Sequence, residues 1–421
     1  MRRERRDVLA VGALALAIRA VENFVVHPPM SEIRSDMAGY VQRAQALLDG
    51  RWGPEPRASF YPFGTHALIY GVEKVAGSHA GFAIGLVYAL MGTAAVVLSM
   101  LAARRLAPSS LWVPRIVGGL LAIEPAWVSL GSFVLSETPT AVAISAMAWL
   151  TLRFFDEGRT RDAAWLGVVV AIGSTFRPQI LASLALVVPV VVLRRPLREK
   201  VSRASIAALL APIALVLAFS TARMHFHTGR YTPMPSNGPF NFVFGRCHCT
   251  ALSASKTRGS RFEPPSLKAL YVYKERHGLE PFPPLDPVLA PELSLDGELW
   301  DPEPAWALSR RCVAISGVPR QIGFAFTHLI LLWGYNVPWP TDGWAAVIGN
   351  VAYTVALLPG LVVGLALSLR RDRSREALLT AILAGLFVTA ALFFGEARMR
   401  APYDGVVAAL AIGAYRHLAE A

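Results

Sequence analysis

The chain has 421 residues, of which 54% are hydrophobic and 17% charged, and its mean hydropathy is +0.44. A soluble chain carries about a quarter charged residues, so a water-soluble globular body is excluded. The net charge of +12 does not mark a nucleic-acid binder, because the arginines fall in short clusters between apolar blocks, where they orient a membrane protein.

Arg2, Arg3, Arg5 and Arg6 precede the first apolar block, residues 8–26. No small-residue cleavage site follows it, since His27-Pro28-Pro29 is a poor processing site, so the block is a retained helix. An outer segment, 27–79, comes next. In it Met37, Tyr40, Val41, Ala44, Leu47 and Leu48 share one helical face, and Gly50 ends that helix. Pro62 starts a second interfacial helix, 62–76, which Gly77 ends. Further apolar blocks lie at 80–101, 111–128 and 137–152. A hairpin, 163–176 and 180–193, turns at Arg177-Pro178, and more blocks follow at 204–224, 345–369, 376–394 and 403–418. Most approach the ~20 residues that cross a bilayer, and in lipid they must be helical to pair their backbones. About ten spans result. The basic clusters at 104–105, 153–161, 194–203 and 370–375 all fall on the side of the N-terminus, which is cytoplasmic. Residues 321–337 are apolar enough to span. Counting them would put 370–375 outside, so they are placed along the outer interface, with Trp333, Tyr335 and Trp339 at headgroup level.

The expected fold class is all-α integral membrane, in three parts. Residues 1–224 form an N-terminal transmembrane module with the first outer loop 27–79. Residues 225–344 form an irregular outer loop region, and residues 345–421 the C-terminal transmembrane helices. All three cysteines, Cys247, Cys249 and Cys312, lie in the outer loop. One disulfide can form there, outside the cytoplasm, with one cysteine left over. The spacing of Cys247-His248-Cys249 is not a common zinc pattern, and His225, His227 and His248 are read as ordinary loop histidines.

Charged groups beside membrane helices are costly and usually functional. Here they gather at outer helix ends. Asp36 opens the first interfacial helix, either as its cap or, if Ser35 is the cap, as a free acid. Ser136-Glu137 begins a span, where an acid also suits the helix dipole. Glu124 lies deeper without a local partner, nine residues from Arg115. Arg177-Pro178-Gln179 turns the hairpin, and Glu396, Arg398 and Arg400 precede Pro402. The set combines acids able to take a proton with arginines able to hold a phosphate, beside helices able to accept a lipid tail.

The order of these motifs resembles the GT-C superfamily of polytopic glycosyltransferases, closest in style to the bacterial branch related to protein O-mannosyltransferases and aminoarabinose transferases. The resemblance runs through Ser35-Asp36 with Tyr40, Tyr61-Pro62-Phe63-Gly64, Leu135-Ser136-Glu137-Thr138, Arg177-Pro178-Gln179 and Gly395-Glu396-Ala397-Arg398-Met399-Arg400-Ala401-Pro402. It covers 1–200 and, more loosely, 345–421. It implies a GT-C-like bundle in a bacterial inner membrane. A sugar would pass from a polyprenyl-phosphate donor to a glycan, lipid or protein acceptor on the outer face, with inversion. Asp36 would be the general base, and Glu137 would shape the site or hold a metal. Arg177, Arg398 and Arg400, with Tyr61 and Glu396, would bind the donor phosphate. A divalent metal ion is a candidate cofactor, although Met37 stands where many members carry a second acid. Two alternatives are a lipid or lipid-linked-sugar flippase, which would call for inverted repeats that the sequence lacks, and a non-catalytic assembly partner, against which Asp36 and Glu137 speak.

Overall fold

The apolar blocks fold as helices. The computed structural model describes residues 2–33, 36–247, 252–254, 260–262, 293–295, 300–333 and 344–420. Helix α1 (Arg2–Val21) ends in a π-helical turn, and α2 (Asp36–Leu48) and α3 (Gly64–Ala76) follow in the first loop. Next come α4 (Ala80–Leu106), α5 (Trp112–Ile123), α6 (Pro125–Leu130), α7 (Glu137–Glu157), α8 (Thr160–Phe176), α9 (Gln179–Leu193) and the single turn α10 (Arg195–Arg198). The chain continues through α11 (Arg203–Thr228), α12 (Asn237–Arg246), α13 (Pro302–Leu331), α14 (Trp344–Ser368), α15 (Ser374–Leu392), α16 (Ala397–Arg400) and α17 (Asp404–Glu420).

Among the described residues, five helical stretches are long and apolar enough to cross a membrane: Glu4–Val26, Gly64–Leu106, Arg203–Thr228, Val347–Ser368 and Ser374–Leu392. Helices α5 and α9 are apolar but shorter. The protein is an integral membrane protein. Helix α4 is the hub, packed against α1, α5, α7 and α17. Its buried side includes Gly85, Ala89, Gly92, Ala95, Ser99 and Ala103. Small residues let backbones approach closely, which is the main source of helix association in lipid.

One end of the bundle carries a belt of ion pairs. Asp7 binds Arg115, Asp156 binds Arg105 and Arg375, and Asp162 binds Arg153. These pairs tie the start of α1 to α5, the end of α7 to the end of α4 and the start of α15, and α7 to the start of α8. Arg105, Arg115, Arg153 and Arg375 therefore lie at the end of the bundle where α1 begins.

Three expectations need correction. The block 111–128 is not one helix: it breaks at Glu124, which is far from partnerless. Glu124 is the N-cap of α6 and accepts from the amides of Ala126 (3.2 Å) and Trp127 (2.5 Å). The following Pro125 explains the break, since a residue before proline is pushed out of the helical region. The loop 225–344 is more ordered than an irregular cap, because it holds α12 and the 30-residue α13, which bends at Gly317 (φ 74°) just before Pro319. It also holds three short strands, β1 (Leu252–Ala254), β2 (Ser260–Phe262) and β3 (Leu293–Leu295), with β1 antiparallel to β2 and parallel to β3. Finally, Trp333 packs over the Arg400 guanidinium, 5.0 Å from its ring centre, rather than facing headgroups. Tyr335 and Trp339 lie outside the described residues.

Cys247 and Cys312 form a disulfide that joins the end of α12 to α13. It sits in a small core with Phe240, Val243, Ala305 and Leu308. Cys247 is thus unavailable to zinc; His248 and Cys249 lie outside the described residues. The bridge closes a separation of 65 residues, for which the chain-entropy model gives about 4 kcal/mol. Cys312→Ser is expected to lower the unfolding temperature in detergent. Reductant should lower that of the wild type by a similar amount and leave the variant unchanged.

Candidate functional site

At the opposite end from the arginine belt, five separate segments converge. Asp36 is the first residue of α2 and Glu137 the first of α7. Arg177 stands in extended backbone between α8 and α9, and Glu396 and Arg398 lie at the short α16. Tyr61 comes from the first loop. Arg398 is the centre. Its Nη2 lies 3.1 Å from Asp36 Oδ2, and its Nε lies 2.8 Å from Glu137 Oε1 and 3.2 Å from Glu396 Oε1. Arg177 donates to the same Glu137 oxygen and also to Ser136 Oγ (2.9 Å) and Met399 Sδ (2.9 Å). Tyr61 donates its hydroxyl to Asp36 Oδ1 at 3.1 Å.

Local sequence makes these approaches feasible. A Cβ on Gly39 would come within 2.5 Å of the Tyr61 ring, so the glycine lets that ring lie on α2 and reach Asp36. A Cβ on Gly64 would meet the Thr175 backbone at 2.8 Å, so the loop after Tyr61 packs flush against the end of α8, just before Arg177.

The charge distribution is uneven. The Glu137 side chain is 2% exposed and that of Asp36 30%. Burial pushes the Glu396 carboxyl up from its ordinary value, with Arg398 opposing it. Burial alone would lower the Arg398 guanidinium, but Glu137, Glu396 and Asp36 together push it above its ordinary value. The Tyr61 hydroxyl is pushed far up, first by burial and then by the Asp36 charge.

Asp36, Tyr61, Glu137, Arg177, Glu396 and Arg398 are therefore in one place. Arg400 is not. It turns away to bind Asp404 (2.8 Å), Asn350 (2.8 Å) and the Leu332 carbonyl (3.1 Å), between the rings of Trp333 and Tyr353. Its role is to hold α16 to α14 and α17, so it is removed from the phosphate-binding set. Nor does the arrangement fit a divalent ion. No group of three His, Cys, Asp or Glu side chains that could hold a metal occurs among the described residues, and the acids are instead interleaved with guanidiniums.

Sequence reasoning missed Arg223, near the end of α11. It lines a narrow cleft, open to the outside, whose walls include Pro62, Phe63, Pro178, Leu181, Val216 and Met224. Its guanidinium donates to the Ala58 carbonyl and lies over the Phe63 ring. Among the described residues no carboxylate pairs with it. Tyr61 and Arg177 belong to the acid cluster, while their neighbours Pro62 and Pro178 belong to the cleft, so the two sites share a wall.

Comparison of the sequence with protein-family models and with curated proteins finds no match. Comparison of the fold does. A crystal structure of the Archaeoglobus fulgidus oligosaccharyltransferase tethered to an acceptor peptide aligns over 98% of this chain with a TM-score of 0.53 and 13% identity. The oligosaccharyltransferase AglB from the same organism, in complex with an inhibitory peptide and a dolichol-phosphate, aligns over 98% with a TM-score of 0.52 and 15% identity. The chain shares the fold of these archaeal oligosaccharyltransferases. The chain spans about half the length of these archaeal proteins, 50% and 51%. ArnT from Cupriavidus metallidurans bound to undecaprenyl phosphate aligns over 98% of this chain and 78% of its own, with 16% identity and a TM-score of 0.38.

Because Glu137 is the carboxylate that Arg177 pairs with and one of three that surround the buried Arg398, Glu137→Ala breaks two ion pairs at once. Breaking such a pair costs about 3–5 kcal/mol, so the variant is expected to unfold at a clearly lower temperature in detergent. Asp36→Asn, at a half-open position that water can reach, should unfold within a few degrees of wild type.

Proposed function

We propose that the protein is a glycosyltransferase that moves a sugar from a polyprenyl-phosphate donor to an acceptor hydroxyl at the outer face of a bacterial inner membrane, with the N-terminus in the cytoplasm. The observation that carries this reading is the convergence of three acids, two arginines and Tyr61 from five segments, next to a cleft whose arginine, Arg223, meets no carboxylate among the described residues. The shared fold supports it, as does the dolichol-phosphate held by AglB. The placement of Arg105, Arg115, Arg153 and Arg375 at the other end supports the outer position of the site.

In this reading Asp36 is the general base. Tyr61 and Arg398 each bind one of its oxygens and fix its plane, and it is more exposed than Glu137. The acceptor oxygen attacks the anomeric carbon as the carbon–phosphate-oxygen bond breaks. Asp36 takes the acceptor's proton, and the lipid phosphate leaves with the bonding electron pair, which gives inversion. The departing phosphate needs a cation that is not already neutralised. Arg223 meets that need, and the cleft walls suit the first isoprene units. Arg177 and Arg398 are committed to carboxylates and act by holding the acids in place. The acceptor is a glycan, lipid or protein hydroxyl.

The test is transfer or hydrolysis of radiolabelled polyprenyl-phosphate sugars by reconstituted protein. Asp36→Asn should lower kcat by about 10²–10⁴ with donor KM little changed. Equal activity of the variant would remove Asp36 from the role of base. Arg223→Ala should raise the donor KM about tenfold, the worth of a charge-assisted contact, and change kcat less. A flippase would instead move labelled lipid across the bilayer without releasing sugar.

A further inference from the structure

Three carboxylates surround Arg398, and its guanidinium is the cation that stands between them. Asp36, Glu137 and Glu396 present oxygens at 3.1, 2.8 and 3.2 Å to one side chain. Arg177 brings a second positive charge to Glu137. Two guanidiniums together supply the charge of one divalent ion among three carboxylates, leaving one negative charge over. Carboxylates this close repel strongly in a buried setting unless a cation separates them.

The cation is also held rigidly. A Cβ on Gly395, three residues before Arg398, would come within 2.1 Å of the His328 carbonyl oxygen, and the Gly395 amide donates to His328 Nδ1 at 3.0 Å. On the other side Arg400 ties the same short helix to Asp404 and Asn350. A planar, permanently charged group on a fixed backbone can organise three carboxylates without the exchange that a bound ion undergoes.

We infer that Arg398 is a built-in cation: it positions Asp36, Glu137 and Glu396 in place of a divalent metal, and the site works without one. Its bearing on catalysis rests on the glycosyltransferase reading above; its bearing on metal binding does not.

The experiment uses full-length protein, purified in detergent and stripped with EDTA, and titrates it with Mn²⁺. Free ion is followed by electron paramagnetic resonance and unfolding temperature by fluorescence. Wild type is expected to bind no more Mn²⁺ than Glu137→Gln. Arg398→Gln should gain a single Mn²⁺ site and unfold at a higher temperature when the ion is present. The added change Glu137→Gln should abolish both effects. Arg398→Lys, which keeps the charge, should gain no site. Binding of Mn²⁺ by wild type that Glu137→Gln removes overturns the proposal, and so does an Arg398→Gln protein that folds yet acquires no site. If Arg398→Gln does not fold, the wild-type arm and Arg398→Lys still decide: a Mn²⁺ site in either overturns the proposal. Where transfer is measurable, EDTA should change the wild-type rate by less than about twofold. A loss beyond about tenfold that Mn²⁺ restores would show a metal acting as Lewis acid or template. That result would overturn this inference and leave the transferase reading standing. Inactivity with every donor would remove the transferase reading, while the Mn²⁺ titration would still decide the inference.

Discussion

Glu137 cannot remain charged at the buried head of an apolar helix unless cations come to it, and this demand shapes the outer half of the molecule. An isolated ionised carboxylate in such surroundings is prohibitively expensive, and a paired one is tolerable only with good geometry and further hydrogen bonds. Arg177 and Arg398 supply the opposite charges, and Arg177 and Ser136 the hydrogen bonds. In doing so the two arginines bind the turn between α8 and α9 and the short α16, more than two hundred residues later, to the start of α7. Asp36 and Tyr61 join through Arg398, so the first outer loop is drawn into the same cluster. The packing of Gly39 on Tyr61, Gly64 on Thr175 and Gly395 on His328 removes the side-chain bulk that would keep these segments apart.

The two ends of the bundle use charge differently. At the arginine-rich end the pairs are partly exposed, as in Arg105 with Asp156 and Glu157 and Arg375 with Asp156. Such pairs contribute modestly to stability and set orientation. Between the ends the helices touch through small residues of α4. The exception is Arg19 of α1, which is buried with its guanidinium directed at the carbonyls of Leu121 and Ala122 and over the Trp127 ring. Those carbonyls belong to the last turn of α5, where no helical amide follows because the chain breaks at Glu124. The break, its acidic cap and the arginine that serves its loose carbonyls form one local solution.

The helices and most of the acid–arginine cluster were legible in the sequence. Apolar block length locates helices in lipid, and polar residues at block ends stand out against an apolar background. What failed has specific causes. Arg400 was grouped with Arg398, but residues two apart on a helical turn do not share a face, so one meets the acids and the other the core. The break at 124 was announced by Glu124-Pro125 and outweighed by the apolar run around it. Helix α13 was hidden because Pro302, Pro304, Gly317 and Pro319 read as loop residues, although proline is well tolerated in a first turn and the glycine–proline pair merely bends the helix. Arg223 carried no signal of its own: an arginine near the end of a long apolar helix is what snorkelling to the interface also predicts. Only the cleft beside it sets it apart.

The choice of Asp36 over its neighbours as the proposed base follows from how each acid is held. Glu137 is nearly fully buried, with one oxygen shared between two guanidiniums, so taking up a proton would break the contacts on which the cluster rests. Glu396 is pushed up by burial and shares Arg398 with both other acids. Asp36 is bound on one oxygen by Arg398 and on the other by Tyr61. Burial and the Asp36 charge keep the tyrosine hydroxyl protonated far above its ordinary range, so it stays a donor at any working pH. Each oxygen of an ionised carboxylate has two acceptor positions. Among the described residues one side-chain donor meets each oxygen, which leaves an acceptor position on each, in a group that is oriented and reachable from outside. Of the three acids, this one can receive an acceptor's proton without dismantling the network that positions it.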